Sequence, residues 1–252
     1  MIHLKSGREL EAMRKAGALT ARARALAGSM VEVGVTTLEI DREVRKLIEK
    51  EGGRPAFLGY NGFPGSACIS INEEVIHGIP GSRVIQMGDI VSVDVGAVLD
   101  GFYGDCAASF LAGEASDEAK QLVEVTRQSF YAGLRFCREG YRISDISHAI
   151  QTHAEEHGYA VVRDFIGHGI GRSLHEAPEV PNFGKAGRGV RLQAGMTLAI
   201  EPMINAGHYG VSILEDGWTV TTADGSLSAH YENTVLITDG EPEILTRLGE
   251  IS

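Results

Sequence analysis

The amino-acid sequence predicts an α+β fold assembled from two copies of a helix–helix–strand unit. Three observations carry this expectation. Capping-box patterns open two stretches of apolar residues at helical spacing. Short apolar runs among glycines read as strands. The two halves of the chain also share a pattern of glycines and apolar residues at a fixed offset.

The first helix is expected after Ser6-x-x-Glu9, with Leu10, Met13, Ala16 and Gly17 at helical spacing. The second is expected after Thr36-x-x-Glu39, with Ile40, Val44, Leu47 and Ile48 on one stripe. Ser116 and Ser144 read as the N-caps of two later helices. Strands are expected at Ile90–Val98, Thr197–Ile200, Trp218–Thr222 and Thr234–Ile237. The 32 glycines, spread along the chain, suit many turns between short strands.

Gly34, Ile40 and Gly52 recur as Gly140, Ile146 and Gly158, each 106 residues later. Gly88 begins a strand that runs into Asp94, and Gly195 begins one that runs into Glu201, both intervals being 107. Accidental alignment of glycines is the ordinary alternative, but an offset constant to one residue over this span argues against it. The period is too long for a solenoid. The expectation is one domain, 1–252, with halves near 1–110 and 111–252 whose two sheets meet about a pseudo-twofold axis. Each half sends one acid to the axis, Asp94 or Glu201, and then a second, Asp105 or Glu232.

Composition narrows the function. With 252 residues, 43% hydrophobic, the chain is long enough to bury roughly 70–75% of its unfolded surface. Lys and Arg total 23 against 34 Asp and Glu, and the net charge of −11 argues against general nucleic-acid binding. Cys68, Cys106 and Cys137 share no CxxC spacing, which suggests free thiols in a reducing compartment. The N-terminus lacks the apolar core of a signal peptide, and no run approaches a membrane span. A cytoplasmic protein, monomeric by default, is the simplest expectation.

Asp94 and Glu201 each interrupt a core-like strand. A carboxylate there costs several kcal/mol unless paired or metal-bound. One buried acid is ordinarily a structural ion pair; four in a duplicated pattern point to a shared cation. His168 and His175 stand seven residues apart in a Gly-rich segment beside these acids. This is neither a dinucleotide-binding signature nor a zincin helix. Four carboxylates and one imidazole, without thiolate, suit Mn(II), Fe(II), Co(II) or Zn(II) and neutralise two divalent ions better than one. Cys106 adjoins Asp105, but strand alternation turns it away, so it reads as core.

Asp94, Asp105, His168, Glu201 and Glu232 occur within Ser92-Val-Asp-Val-Gly, Gly101-Phe-Tyr-Gly-Asp, Gly167-His-Gly-Ile-Gly, Ile200-Glu-Pro-Met and Tyr231-Glu-Asn-Thr. In this order they resemble the pita-bread metallopeptidases of family M24, specifically the bacterial short form of type I methionine aminopeptidase. Ile69-Ser-Ile-Asn-Glu-Glu-Val-Ile-His-Gly-Ile-Pro, Asp216-Gly-Trp-Thr and Leu227-Ser-Ala extend the likeness over nearly the whole chain. The resemblance implies a pita-bread fold with a central antiparallel sheet covered by helices. It implies removal of initiator methionine from nascent polypeptides with a small second residue.

In that reading Asp105 and Glu232 bridge two metal ions, Asp94 holds one, and His168 and Glu201 hold the other. A bridging hydroxide attacks the scissile carbonyl, and Glu201 shuttles the proton. His77 contacts the scissile amide or leaving amine, and His175 stabilises the oxyanion. Phe57, Tyr60, Phe63, Cys68, Leu174 and Trp218 form the methionine pocket. Phe63 stands where Tyr is common, Leu174 where an aromatic can stand, and Asn233 where His is frequent, so the pocket wall is where this chain departs. Three rivals remain: an X-Pro peptidase, whose chains usually carry an added N-terminal domain not expected here; a non-catalytic pita-bread binding protein; and a mononuclear lyase or phosphatase. A stripe of Arg8, Lys15 and Arg22, with Lys5, Arg14 and Arg24 nearby, is either a solvated helix face or a weak ribosome-docking patch.

Overall fold

The computed structural model describes residues 2–248, so the outermost positions of the expected 1–252 domain lie outside the described residues. Four helices, α1 (Arg8–Ser29), α2 (Thr37–Lys50), α3 (Asp117–Leu134) and α4 (Ile143–Glu156), accompany four sheets whose strand pairs are all antiparallel. The class is α+β, as expected.

Each half covers its own main sheet with its own helices. In the first half, Arg54–Pro55, Ala67–Ile71 and Phe102–Leu111 pair around Ile90–Leu99. Leu19, Ala23, Ile40, Val44 and Ile48 of α1 and α2 pack on Ile69, Ile71, Val91 and Val93 of that sheet. In the second half, a five-stranded sheet runs Glu243–Ile244, Asn233–Leu236, Thr197–Ile200, Gly167–Gly169, Glu176–Val180. Phe130, Ile146 and Ile150 of α3 and α4 pack on its Leu198, Ile200 and Val235.

The glycines paired at the 106–107-residue offset share backbone conformations. Gly34 and Gly140 have φ of +96° and +95°, Gly52 and Gly158 +78° and +84°, Gly88 and Gly195 +89° and +93°. No atom lies near a Cβ built on Gly34, Gly52, Gly140 or Gly158, so backbone conformation rather than space demands glycine there. Both helix α2 and helix α4 sit at the 106-residue offset.

Two N-caps differ from expectation. Thr36 and Glu39 form the full capping box, and Ser116 caps α3 through the Ala119 N–H. Ser6 does not cap α1; Gly7 is the N-cap, and the Glu9 carboxylate is drawn away to His3 and Arg172 at 3.2 Å. Ser144 lies inside α4, whose N-cap is Arg142, 106 residues after Thr36. The Ser144 hydroxyl donates instead to the Arg188 carbonyl. The expected Trp218–Thr222 strand begins only at Val220, because Asp216 ties the N–H groups of Trp218 and Thr219 into a turn. Gly88 and Gly195 are the turns before their strands, which begin at Ile90 and Thr197.

The expected basic patch on α1 is largely consumed. Lys5 is buried against Glu176 at 2.7 Å, and Arg24 turns inward. Arg14 pairs with Glu11 and Glu243, Arg22 with Glu51 and Lys15 with Asp100.

The halves join along one seam. Ala107 and Glu232 exchange both backbone hydrogen bonds (3.2 and 2.9 Å), and Tyr103 N–H donates to the Gly171 carbonyl. Between these, the Asp105 N–H donates to Thr234 Oγ1, which donates back to the Asp105 carbonyl. The strand edge of the first half is thereby satisfied by the second.

Candidate metal centre

Strand register alone sets most of the site. Leu99 pairs with Phe102 across a two-residue turn, Asp100-Gly101, with φ of +52° and +78°. Counting back from it, Asp94 pairs with Ala107 and Asp105 with Gly96. Asp94 and Asp105 are therefore diagonal neighbours on one face, with Cys68 opposite Asp94 on the same face. In the second half His168 and Thr234 both pair with Ala199, two residues before Glu201. Asn233 pairs with Ile200, so Glu232 comes opposite Glu201 as the chains leave the ladder. The Ala107–Glu232 bonds then bring both faces together.

The result is a compact acid cluster. His168 Nε2 lies 3.5 Å from Glu201 Oε1 and 3.9 Å from Asp105 Oδ2. One ligand atom each from Asp105, His168 and Glu232 lie within 4.8 Å of one another. His168 Nδ1 is 2.9 Å from the Gly169 carbonyl. A proton on Nδ1 leaves the Nε2 lone pair facing the acids.

The electrostatics suit a bound cation. Burial pushes the Asp94 carboxyl up to about 7. Burial and then neighbouring carboxylates push Asp105, Glu201 and Glu232 well above the ordinary range. Burial lowers His168 to about 4, so the imidazole is neutral. Asp94 Oδ1, Asp105 Oδ1 and Glu232 Oε1 are buried without a hydrogen-bond partner. Unpaired buried carboxylate oxygens are costly, and a divalent cation supplies the missing partner. Four carboxylates and a neutral imidazole fit an oxygen-preferring or borderline divalent ion.

Above this floor is a cavity of about 190 Å³. Every residue expected of the site lines it: Phe57, Tyr60, Phe63, Cys68, His77, Asp94, Asp105, His168, Leu174, His175, Glu201, Trp218 and Glu232, joined by Asn61. Phe63 and Trp218 meet edge to face at 5.1 Å. The Tyr60 hydroxyl and His175 Nδ1 are 2.8 Å apart at the mouth, and the His175 ring is 4.2 Å from that of His168. His77 has φ +59°, a strained conformation for a non-glycine residue, and sits edge-on to Phe165 and Trp218. Burial, then His175, lowers its pKa to about 4.

One expectation is corrected: Asn233 does not line the cavity but faces α1, where its Oδ1 accepts from Arg24, so this departure is not in the pocket wall. Two polar residues beside the cluster escaped sequence reading. His230 is buried, with Nε2 unpartnered and 3.9 Å from Glu232 Oε2. Strand alternation from Glu232 would have flagged it. Asn61 carries no sequence signal; its φ of +49° follows the turn.

The profile of metallopeptidase family M24 matches residues 11–239. This chain belongs to that family. It is 53% identical over 246 residues to a methionine aminopeptidase of Clostridium perfringens, covering 98% of this chain and 99% of the relative. The crystal structure of a methionine aminopeptidase from Thermotoga maritima superposes with a TM-score of 0.96 at 46% identity, covering 98% and 100% of the two chains. A prolidase from Pyrococcus furiosus shares the fold alone (TM-score 0.78, 21% identity) and is covered over 66% of its length. The M24 chain thus has the expected pita-bread fold.

Proposed function

We propose that this chain is a metal-dependent aminopeptidase that removes N-terminal methionine from nascent proteins and peptides, preferring a small second residue. The cavity carries the reading: an acid–imidazole floor, two further imidazoles beside it, and apolar walls of Phe57, Phe63, Leu174 and Trp218. Full-length likeness to methionine aminopeptidases narrows the class.

Asp105 and Glu232 would be shared by two divalent ions, with Asp94 completing one and His168 with Glu201 the other. Co, Mn, Fe and Zn all accept such a set. When bound, the ions supply an activated water and a polarised carbonyl. The chain's own groups do the rest. Phe57, Tyr60, Phe63, Cys68, Leu174 and Trp218 hold the thioether and exclude water. Glu201 takes the water's proton and passes it to the leaving amine. His175, oriented at Nδ1 by Tyr60, offers Nε2 to the carbonyl oxygen. His77, neutral at physiological pH, contacts the scissile amide. The substrate's free α-amine lies near Asp94, which favours an aminopeptidase over an endopeptidase.

The chain acts as one duplicated catalytic domain, since Asp94 and Asp105 come from the first half and the other ligands from the second. We place it in the cytoplasm on its three free cysteines, and take a monomer as the default state. The basic stripe, with Lys15 and Arg22 paired to acids, supports at most a weak ribosome contact. Against the X-Pro reading, the prolidase likeness is one of fold alone. Against a non-catalytic binding protein, all seven polar site residues meet in one cavity.

The test strips metal with a chelator, restores Co(II), Mn(II), Fe(II) or Zn(II), and follows cleavage of Met-Ala-Ser, Met-Leu-Ser and Ala-Pro peptides. Metal-dependent cleavage of Met-Ala-Ser alone is expected. Robust Ala-Pro cleavage would establish the prolidase reading, and inactivity of folded protein with every metal would establish the binding-protein reading.

A further inference from the structure

Arg24 stands on α1, the helix whose Arg14, Lys15 and Arg22 pair with surface acids. Its guanidinium turns inward instead. The two Nη1 hydrogens are shared among the carbonyl oxygens of Glu232 (3.0 Å) and Ala107 (3.3 Å) and Asn233 Oδ1 (3.1 Å). Nη2 donates to the Thr246 carbonyl at 3.3 Å. The Thr246 hydroxyl in turn donates to Asn233 Oδ1 and accepts the Thr234 N–H, both at 3.0 Å.

These acceptors have a meaningful location. Ala107 and Glu232 are the residues that exchange backbone hydrogen bonds across the seam between the halves. Ala107 is two residues from Asp105 on the same strand. One guanidinium therefore grips both strands where an acid from each half enters the cluster. A planar fork of five donors can serve acceptors on two strands and a side chain at once; a lysine ammonium cannot hold this arrangement. Arg24 does not line the cavity, so it touches no substrate.

We propose that Arg24 is a positioning residue for the metal centre: it locks the seam so that the Asp105 and Glu232 carboxylates stay close enough to share ions. This rests on the reading of those two acids as shared metal ligands. Asn233 and Thr246 complete the clamp by holding the guanidinium in plane.

The test titrates chelator-stripped wild type, Arg24→Met and Arg24→Lys with Mn(II) alone, by calorimetry and by the electron-spin-resonance signal of paired ions. Melting curves of the metal-free proteins are recorded beside them. Arg24→Met is expected to lose about tenfold or more in Mn(II) affinity and most of the paired-ion signal, the range typical of groups that orient metal ligands. Arg24→Lys, with the charge but not the fork, is expected between the two. A lowered melting temperature with Mn(II) affinity within about twofold of wild type and an intact paired-ion signal would overturn the proposal. If Arg24→Met does not fold, Arg24→Lys carries the same comparison. Wild type that takes up no Mn(II) would overturn this proposal together with the metal-centre reading, whereas uptake unchanged by either variant overturns this proposal alone.

Discussion

Thr234→Val tests whether the seam is held by hydrogen bonds or by packing. Thr234 is fully buried, and valine matches its shape. Its Oγ1 accepts the Asp105 N–H at 3.1 Å and donates to the Asp105 carbonyl at 2.9 Å. Neighbouring outward-facing N–H groups on that strand, those of Tyr103 and Ala107, find carbonyls across the seam. Asp105 has the Thr234 hydroxyl in that place. Replacing it with a methyl orphans two buried backbone groups at about 1–3 kcal/mol each, or about 2–4 kcal/mol after local relaxation. At roughly 2–4 °C per kcal/mol for a chain of this size, the melting temperature should fall by about 5–15 °C. Because the orphaned groups belong to Asp105, kcat toward a Met-Ala-Ser peptide should also fall, by about tenfold. Thr126→Val is the control. That buried hydroxyl bonds only the Leu122 carbonyl within α3, and its removal should cost about 1 kcal/mol or less. Calorimetric melting and steady-state kinetics on both variants decide the matter. Thr234→Val within about 2 °C of wild type, with unchanged kcat, would refute the reasoning.

Asp105→Asn should abolish peptide cleavage and weaken Mn(II) uptake by more than about a hundredfold, read by calorimetry; wild-type turnover would remove Asp105 from the site. Gly96→Ala places a Cβ 2.6 Å from Phe57 Cε1 and 2.8 Å from Ala56 Cβ. Phe57 must then move within the pocket, so KM for Met-Ala-Ser should rise several-fold; an unchanged KM would show that Phe57 does not shape it. Burial alone would raise the Glu176 carboxyl, but Lys5 and the N–H groups of Ser173 and Arg172 hold it below its ordinary value. A depressed carboxylate stabilises the fold above the unfolded pKa of about 4.3 and loses that contribution as pH falls through the folded value. Lys5→Met should therefore melt lower than wild type at pH 6, with the gap narrowing toward pH 3; a pH-independent gap would contradict the linkage.

Much of this protein is legible in its sequence. The Thr36 capping box and the Ser116 cap are local, and local hydrogen bonding decided them. The capping box expected at Ser6 did not form, since the Glu9 carboxylate serves His3 and Arg172, and Ser144 lies inside α4 with its hydroxyl on the Arg188 carbonyl. The 106-residue offset located the α4 cap better than side-chain propensity did, since Arg142 follows Thr36 by that interval.

The five candidate ligands divide in the same way. The Asp100-Gly101 turn is a two-residue hairpin signal, and pairing outward from it makes Asp94 and Asp105 diagonal neighbours by counting alone. The sequence by itself thus determined the fold class, and it named the candidate residues that the structure brings to one cavity, because turn chemistry and strand period act over a few residues. The convergence of Asp94 and Asp105 on His168, Glu201 and Glu232 belongs to the tertiary structure. It depends on the seam, where Ala107 meets Glu232 and Thr234 serves Asp105 across a separation of 129 residues. The inward turn of Arg24, the buried His230 and the strained His77 were decided there too. Each answers to backbone groups and partners that only the packing of two sheets brings within reach.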